Sequence, residues 1–202
     1  MVDQGLPDII LASSSSARAR LLRNAGLDPK IKPVSLDEDS IKSALVMEKA
    51  PAAHIAETLA ELKTIRGARE THHYVIGADQ ILACDGSIFS KPTCLAEAKE
   101  QLMKLRGRSH ELISAVCVAK GGSIIWRHSD SAKLYIRQFS SSFLDSYLNE
   151  NKDSILTSAG GYYLESRGAQ LFDWIKGDYF TILGLPLIPL LCFLREQGVM
   201  QK

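Results

Sequence analysis

Asp79 and Lys91 flank a segment whose residue types suit the chemistry of metal ions and phosphates. Residues 75–78 are mostly apolar and too few for a helix, so they predict a buried strand that ends at Asp79. Residues 81–83 predict a second strand, and the sequence of residues 85–86, Asp-Gly, is a strong hairpin signal before Lys91. The hairpin would present a carboxylate and an ammonium group. Taken one at a time, the aspartate could instead cap a turn and the lysine be solvated.

Four consecutive serines, residues 13–16, separate a short apolar strand from a helix predicted over residues 17–25. The hydroxyl groups of Ser13 and Ser15, together with free N–H groups of the helix N-terminus, would form an anion site. Arg18 lies in the first turn, where a cation is unfavourable for the helix dipole. A phosphate partner therefore explains this arginine better than a structural role does. The alternative, a single capping serine, accounts for one serine better than for four.

An acidic turn at residues 37–39 precedes another predicted helix. Two of its carboxylates are expected to lie at the helix N-terminus, and one could turn inward as a metal ligand. The next helix, predicted over residues 52–66, places apolar residues 55, 59, 62 and 65 at helical spacing toward a core. Lys63 would then reach out from the edge of this apolar stripe.

The remaining pattern mixes hairpins, strands and helices. It predicts an α/β protein with a mixed sheet, organised as a single domain over residues 1–202 with two lobes. Further helices are predicted over residues 40–48, 94–105 and 140–149 and from Pro186 to the residue before Gly198, with Thr93 and Ser140 as N-caps of the middle two. Further strands are predicted over residues 30–34, 111–120, 123–136, 162–165 and 171–175.

Composition limits the classes of function. Hydrophobic residues make up 46% of the chain and charged residues 23%, as in ordinary globular proteins. A net charge of +1 disfavours nucleic acid as a partner. The four cysteines form no metal-binding or disulfide pattern, which predicts reduced thiols and a cytoplasmic location. We expect no signal peptide at residues 1–8, and no membrane span over residues 179–194, which are apolar but too short and contain glycine and proline.

The histidines carry no metal signature. His54, His72 and His73 are expected on the surface, since their spacing matches no metal site. His110 lies on a predicted half-buried strand, where a histidine is more often structural than catalytic.

Several motifs occur in an order that resembles the Maf family of nucleotide pyrophosphatases. They cover residues from about 10 to 194 and comprise LASSSSARARLL, DEDS, LAELK, GADQILACDGSIFSKP, RGRSHELISAVCV, AGGYYLESRGAQLF and IKGDYFTILGLPL. The resemblance implies an inosine-triphosphatase-like fold with an active cleft between two lobes. It also implies hydrolysis of a nucleoside triphosphate to a monophosphate and pyrophosphate with a divalent metal, Mg²⁺ or Mn²⁺.

The resemblance also implies roles for the candidate residues. Asp79 would act as a base or metal ligand, and Glu38 as a metal ligand. Phosphate oxygens would be held by three cations, with hydrogen bonds from two serines: Arg18, Lys63, Lys91, Ser13 and Ser15. The substrate is a small-molecule nucleotide. The sequence does not fix the oligomeric state, and a homodimer is compatible with it.

Three positions bear on which base is recognised. Gln80 and Glu165 match the family branch that hydrolyses 7-methyl-GTP, whereas the branch for dTTP and UTP has threonine and glutamine there. Ala17 stands where the family has an arginine or a bulky residue; Ser16 and Ser166 also depart from the family pattern. The expected substrate is therefore 7-methyl-GTP or another modified nucleotide. The alternatives are a dTTP/UTP pyrophosphatase, or a nucleotide-binding regulator of cell division without turnover.

Overall fold

The computed structural model describes residues 8–201, apart from the side chain of residue 153. The predicted absence of a signal peptide concerns a segment whose first seven residues lie outside this range. Among the residues described, no helix is both long and apolar enough to span a membrane. The four cysteines are free thiols.

The described chain alternates strands and helices, as a mixed α/β pattern requires. The strands are β1 Ile9–Leu11, β2 Lys30–Ile31, β3 Tyr74–Cys84, β4 Ser87–Phe89, β5 Ser109–Lys120, β6 Ser123–Ile136 and β7 Phe172–Lys176. The α-helices are α1 Ser16–Asn24, α2 Glu38–Met47, α3 Ala52–Gly67, α4 Leu95–Leu105, α5 Ser141–Glu150, α6 Lys152–Ile155, α7 Tyr179–Ile182 and α8 Leu187–Glu196. Two short 3-10 helices occupy Ala159–Gly161 and Arg167–Leu171.

The strands form one seven-stranded sheet in the order β2-β1-β3-β5-β6-β7, with β4 paired to β3. β1 pairs parallel with both β2 and β3, while β4 pairs antiparallel with β3 and β7 antiparallel with β6. The prediction of an α/β protein with a mixed sheet is therefore confirmed.

The described residues fall into two compact units. The first contains the described residues up to Gln80, Ser114–Asp130 and the described residues from Tyr179 onward. The second contains Ile81–Ile113 and Ser131–Asp178.

The first unit buries apolar side chains on both faces of its strands. On one face, Ile9, Leu11 and Ile76 belong to a cluster that also contains Leu22 of α1 and Leu190 of α8. The other face packs against α3, whose backbone approaches β3 closely. A Cβ at Gly77 would lie 2.2 Å from the Thr64 hydroxyl oxygen and 2.8 Å from the Ala60 carbonyl oxygen. Only glycine allows this contact, which places α3 directly over β3.

The second unit buries His110, which the sequence placed on a half-buried strand where histidines are more often structural. This side chain is 2% exposed, and its Nε2 lies 2.6 Å from the hydroxyl oxygen of Tyr162. The two rings meet edge to face, with centroids 5.6 Å apart, and Phe172 completes the aromatic contact. The site favours neutral imidazole, because burial lowers the pKa of His110 from 6.5 to about 4.

This histidine predicts a pH-dependent loss of stability. The unfolded chain binds the proton near pH 6.5 and the folded chain only near pH 4. Protonation therefore favours unfolding, and the contribution lost as pH falls through this window is about 3 kcal/mol. Denaturant unfolding of the wild type and His110→Gln between pH 7 and 4 tests this. The difference between the two should shrink toward pH 4, and equal pH dependence would contradict the assignment.

Several predicted elements need correction. The predicted strand break at Asp79 is wrong: β3 continues through Asp79 and Gln80 because both polar side chains find partners inside the first unit. Residues 162–165 form no strand, since glycines with positive φ precede them and a 3-10 helix follows. β2 is limited to two residues, in place of the predicted strand over residues 30–34.

Two helices also differ in detail from the prediction. In α3 the buried face includes Lys63 and Thr64, whereas Ile65 is 37% exposed, so the predicted apolar stripe is rotated. α4 begins after Cys94, not Thr93; the Thr93 backbone N–H and hydroxyl instead donate to the Glu97 carboxylate. The capping prediction was correct for α5, where the Ser140 hydroxyl accepts from the Phe143 N–H.

Candidate active site

The first unit brings together two carboxylates and an ammonium group. Lys63 Nζ lies 2.7 Å from Asp79 Oδ1 and 2.8 Å from Glu38 Oε2. The side chains of Lys63 and Asp79 are 8% and 9% exposed, whereas that of Glu38 is 42% exposed. The buried lysine lies between the two carboxylates, and it holds one oxygen of each in a fixed position.

The local sequence explains how these groups converge. Asp79 lies on β3, Lys63 on the buried face of α3, and Glu38 in the first turn of α2. Asp37 is the N-cap of α2 and accepts from the Ser40 N–H and hydroxyl, which leaves Glu38 to turn toward Lys63. The acidic turn thus divides its carboxylates between the helix end and the cluster.

These carboxylates meet the minimum that Mg²⁺ or Mn²⁺ requires. Such ions prefer oxygen ligands and are commonly held by one or two carboxylates together with phosphate oxygens of the substrate. The carboxylates of Asp79 and Glu38 both contact the Lys63 ammonium group, so they lie close enough together to share one cation. Within residues 8–201 no group of three or more histidine, cysteine or acidic side chains could hold a metal. The donor set therefore fits an ion that shares its coordination with a bound phosphate.

Arg18 lies beside this cluster and is 8% exposed. Its Nε donates to the Gly184 carbonyl oxygen at 2.8 Å, and its Nη1 donates to the Ala78 carbonyl oxygen at 2.8 Å and to Ser13 Oγ at 3.2 Å. Burial lowers the pKa of Arg18 from its ordinary value, while the charges of Asp79 and Glu38 oppose this shift. Arg18 thus joins α1, β3 and the segment before α8, a structural role that the sequence indicated less strongly than a phosphate partner.

The same arginine retains a donor for a ligand. Among residues 8–201, no acceptor contacts its Nη2. Ser13 Oγ accepts from Arg18 and from the Ser15 N–H at 3.2 Å, while Ser15 Oγ caps α1 by accepting from the Arg18 N–H at 3.3 Å. Ser15 is thus the helix cap, the alternative role that the sequence offered for one serine, and its role in binding phosphate remains a prediction. The Nη2 group, the Ser13 hydroxyl hydrogen and the helix N-terminus are the donors suited to an anion.

Gln80 follows Asp79 on β3, and its side-chain amide is held within the first unit. Nε2 lies 3.0 Å from Ser114 Oγ and 3.0 Å from each of the carbonyl oxygens of Thr181 and Ile182. Sequence reasoning placed Gln80 at the site but missed Ser114, Thr181 and Gly184. The segments GDYFTILGLPL, for the last two, and RGRSHELISAVCV, for Ser114, were the available signals.

The other predicted residues have the following positions. Lys91 and Glu165 belong to the second unit and are exposed, Glu165 in a turn that leads into the second 3-10 helix. Ala17 lies in the first turn of α1, partly buried. The roles of these three residues remain predictions.

The first unit also has a surface groove of about 550 Å³, which shares no residue with this cluster. None of the predicted site residues lines it. Its carboxylates already have partners, since Glu61 is bonded by Arg127 and Glu57 by Ser129. The chemistry therefore points to the Asp79 cluster and not to the groove.

The family of the chain follows from a comparison of its sequence with family models. The model of the family described as "Maf-like protein" matches residues 8–197. The chain belongs to the Maf-like family. This confirms the resemblance seen in the motifs.

Sequence similarity to known proteins extends over most of this Maf-like chain. A "Nucleoside triphosphate pyrophosphatase" of Granulibacter bethesdensis is 47% identical over 93% of this chain and 96% of its own. A "7-methyl-GTP pyrophosphatase" of Rhizobium meliloti is 42% identical over 95% of this chain and 97% of its own. The solved structure of a HAM1 protein from Coxiella burnetii is 18% identical, covers 64% of this chain and 73% of its own, and has a TM-score of 0.42.

Proposed function

We propose that this Maf-like protein is a nucleoside triphosphate pyrophosphatase that hydrolyses its substrate to the nucleoside monophosphate and pyrophosphate. The observation that carries the proposal is the cluster of Asp79, Glu38 and Lys63 beside Arg18 and the N-terminus of α1. It combines acidic groups for a metal or a proton with donors for phosphate oxygens. The activities named for relatives at 47% and 42% identity support the same reaction class.

The residues present suggest how the reaction proceeds. The attacking water forms a bond to the α-phosphorus and gives a proton to Asp79, while the bond from the α-phosphorus to the bridging oxygen breaks. Pyrophosphate leaves with that electron pair. Lys63 holds Asp79 Oδ1, so Oδ2 is the oxygen that we assign to proton transfer. Arg18 Nη2, the Ser13 hydroxyl and the first-turn N–H groups of α1 bind phosphate oxygens.

A divalent cation is part of this proposal. Asp79 and Glu38 would hold Mg²⁺ or Mn²⁺, and the bound ion would neutralise charge on the triphosphate. The Lys63 ammonium group contacts both carboxylates and offsets part of their charge before any cation binds. Lys91, also proposed to hold phosphate oxygens, would add positive charge.

We propose 7-methyl-GTP as the substrate. Glu165 offers only acceptors, which match the two adjacent N–H donors on the pairing edge of guanine. Methylation of N7 makes the base cationic and further favours an anionic side chain. The 42% identical relative named 7-methyl-GTP pyrophosphatase supports the choice.

Exchange of Gln80 and Glu165 should shift the preference for the base. The wild type is expected to prefer 7-methyl-GTP over UTP and dTTP, and Gln80→Thr/Glu165→Gln to shift toward the pyrimidines by about 1–3 kcal/mol of discrimination. Pyrophosphate release from each nucleotide, with Mg²⁺ and with Mn²⁺, gives the ratios of kcat/KM.

Three outcomes would count against the proposal. A wild type that favours dTTP would support the pyrimidine alternative, and an unchanged ranking in the double variant would remove these two residues from base recognition. Tight nucleotide binding without pyrophosphate release would indicate a regulator.

A further inference from the structure

The amide group of Gln80 has only one orientation that its surroundings allow. Three oxygen atoms, Ser114 Oγ and the carbonyl oxygens of Thr181 and Ile182, lie 3.0 Å from the same amide atom. The two carbonyl oxygens can only accept hydrogen bonds, so the atom that faces them must be the nitrogen. The amide oxygen, Oε1, therefore faces the opposite direction.

Ser114 is the hydroxyl group that completes this arrangement. It is fully buried, and its Oγ donates to the Thr181 carbonyl oxygen at 2.8 Å. Because its hydrogen is used there, the hydroxyl presents lone pairs to Gln80 and accepts from it. Thr181 is held in turn by its own hydroxyl group, which donates to Asp130 Oδ2 at 3.0 Å. The serine thus fixes the amide and the carbonyl group beside it at the same time.

The oxygen of the Gln80 amide and the donor that Arg18 leaves unused both lie close to Gly184. A Cβ built on Gly184 would lie 3.7 Å from Gln80 Oε1 and 3.6 Å from Arg18 Nη2, so both atoms border the same point. Among residues 8–201, no donor contacts Oε1 and no acceptor contacts Nη2. One acceptor and one cationic donor are thus available near Gly184.

We infer that Ser114 is a positioning residue for nucleotide recognition, which holds the Gln80 amide so that it presents its oxygen to N–H donors of the base. The inference rests on the proposed function, and it adds a residue outside the predicted site. Without the hydroxyl group, Nε2 loses an acceptor and the Thr181 carbonyl loses a donor. The amide is then held by the two carbonyl oxygens alone and presents its oxygen less firmly, which costs more for guanine, with two adjacent N–H donors, than for uracil, with one.

Ser114→Ala and Ser114→Thr test the role of the hydroxyl group. We expect the ratio of kcat/KM for 7-methyl-GTP over UTP to fall about tenfold in the alanine variant, the size expected for one lost buried hydrogen bond. The threonine variant keeps a hydroxyl group and should restore the ratio. Ser129→Ala, which removes a hydroxyl bonded to Glu57 in the groove, is the matched control and should leave the ratio unchanged.

A merely structural serine would give a different result. If kcat/KM for both nucleotides falls equally in Ser114→Ala, or does not fall at all, the ratio is unchanged and the inference is overturned. If the wild type releases no pyrophosphate from any nucleotide, the proposed function fails. The ratio of dissociation constants for the same two nucleotides then tests the positioning role separately.

Gln80→Glu provides a second test that does not depend on how Ser114→Ala folds. At pH 8 the new carboxylate would face two carbonyl oxygens, so we expect binding of 7-methyl-GTP to weaken at least about tenfold. Protonation restores an O–H donor at this position, and the loss relative to wild type should therefore shrink toward pH 5. Binding equal to that of the wild type at pH 8 would show that the amide nitrogen is not needed, and would overturn the inference.

Discussion

Replacement of Asp79 by asparagine is expected to reduce pyrophosphate release at least about 10²-fold, the loss typical of a missing acid–base group. Asparagine keeps the size of the side chain and can still accept from Lys63 through its amide oxygen, a contact that Asp79 Oδ1 makes at 2.7 Å. It removes the negative charge that would take the proton from water or bind a metal ion. The affinity for the nucleotide should change much less than kcat.

Asp85→Asn is a suitable control for this change. Asp85 lies in the turn after β3, and its side chain is 65% exposed and paired with Arg108. Its φ of 48° suits asparagine equally well, so the variant makes the same chemical change at a surface position. Steady-state kinetics with a pyrophosphate assay should show near wild-type rates for Asp85→Asn. Normal turnover by Asp79→Asn would mean that the assigned centre is wrong.

The local parts of the site could be predicted from sequence because they depend on neighbouring residues. The serine cap of α1 and the acidic turn before α2 follow from helix N-terminus chemistry, and both are present. The Asp85-Gly86 turn is another local feature, and both residues have the positive φ that a tight hairpin requires.

The long-range parts could not be predicted. Arg18 bonds to Gly184, 166 residues away, and Gln80 to Ser114, 34 residues away. A charged residue within an apolar run usually indicates the end of a strand, yet β3 continues because Lys63 compensates the charge of Asp79 in the interior. Residue type and periodicity do not specify such partners, since they are set by how the elements pack.

Replacement of Lys63 by methionine should destabilise the folded protein by about 3 kcal/mol at neutral pH. Methionine keeps the unbranched apolar stem but leaves the Asp79 carboxylate without its hydrogen-bond partner at 9% exposure. Glu38 would lose the same partner and add a second negative charge nearby.

Lys99→Met is the matched control for this variant. Lys99 pairs with Asp145 at 2.6 Å, but the two side chains are 48% and 53% exposed, so water screens the pair. Exposed ion pairs contribute at most about 1 kcal/mol, and this variant should remain close to wild type. Denaturant unfolding of both variants at pH 7 gives the comparison.

The double variant Lys63→Met/Asp79→Asn separates the buried ion pair from simple packing. Once the carboxylate is neutral, it no longer needs the ammonium group, so the double variant should be more stable than Lys63→Met alone. A divalent cation offers a second route to the same compensation, because it would neutralise Asp79 and Glu38 when the lysine is absent. Mg²⁺ or Mn²⁺ should therefore raise the Tm of Lys63→Met more than that of Lys63→Met/Asp79→Asn. An equal rise in Tm for the two variants would remove Asp79 from the proposed metal site. If replacing Lys63 by methionine costs the same stability in the wild-type and Asp79→Asn backgrounds, Lys63 contributes by packing alone.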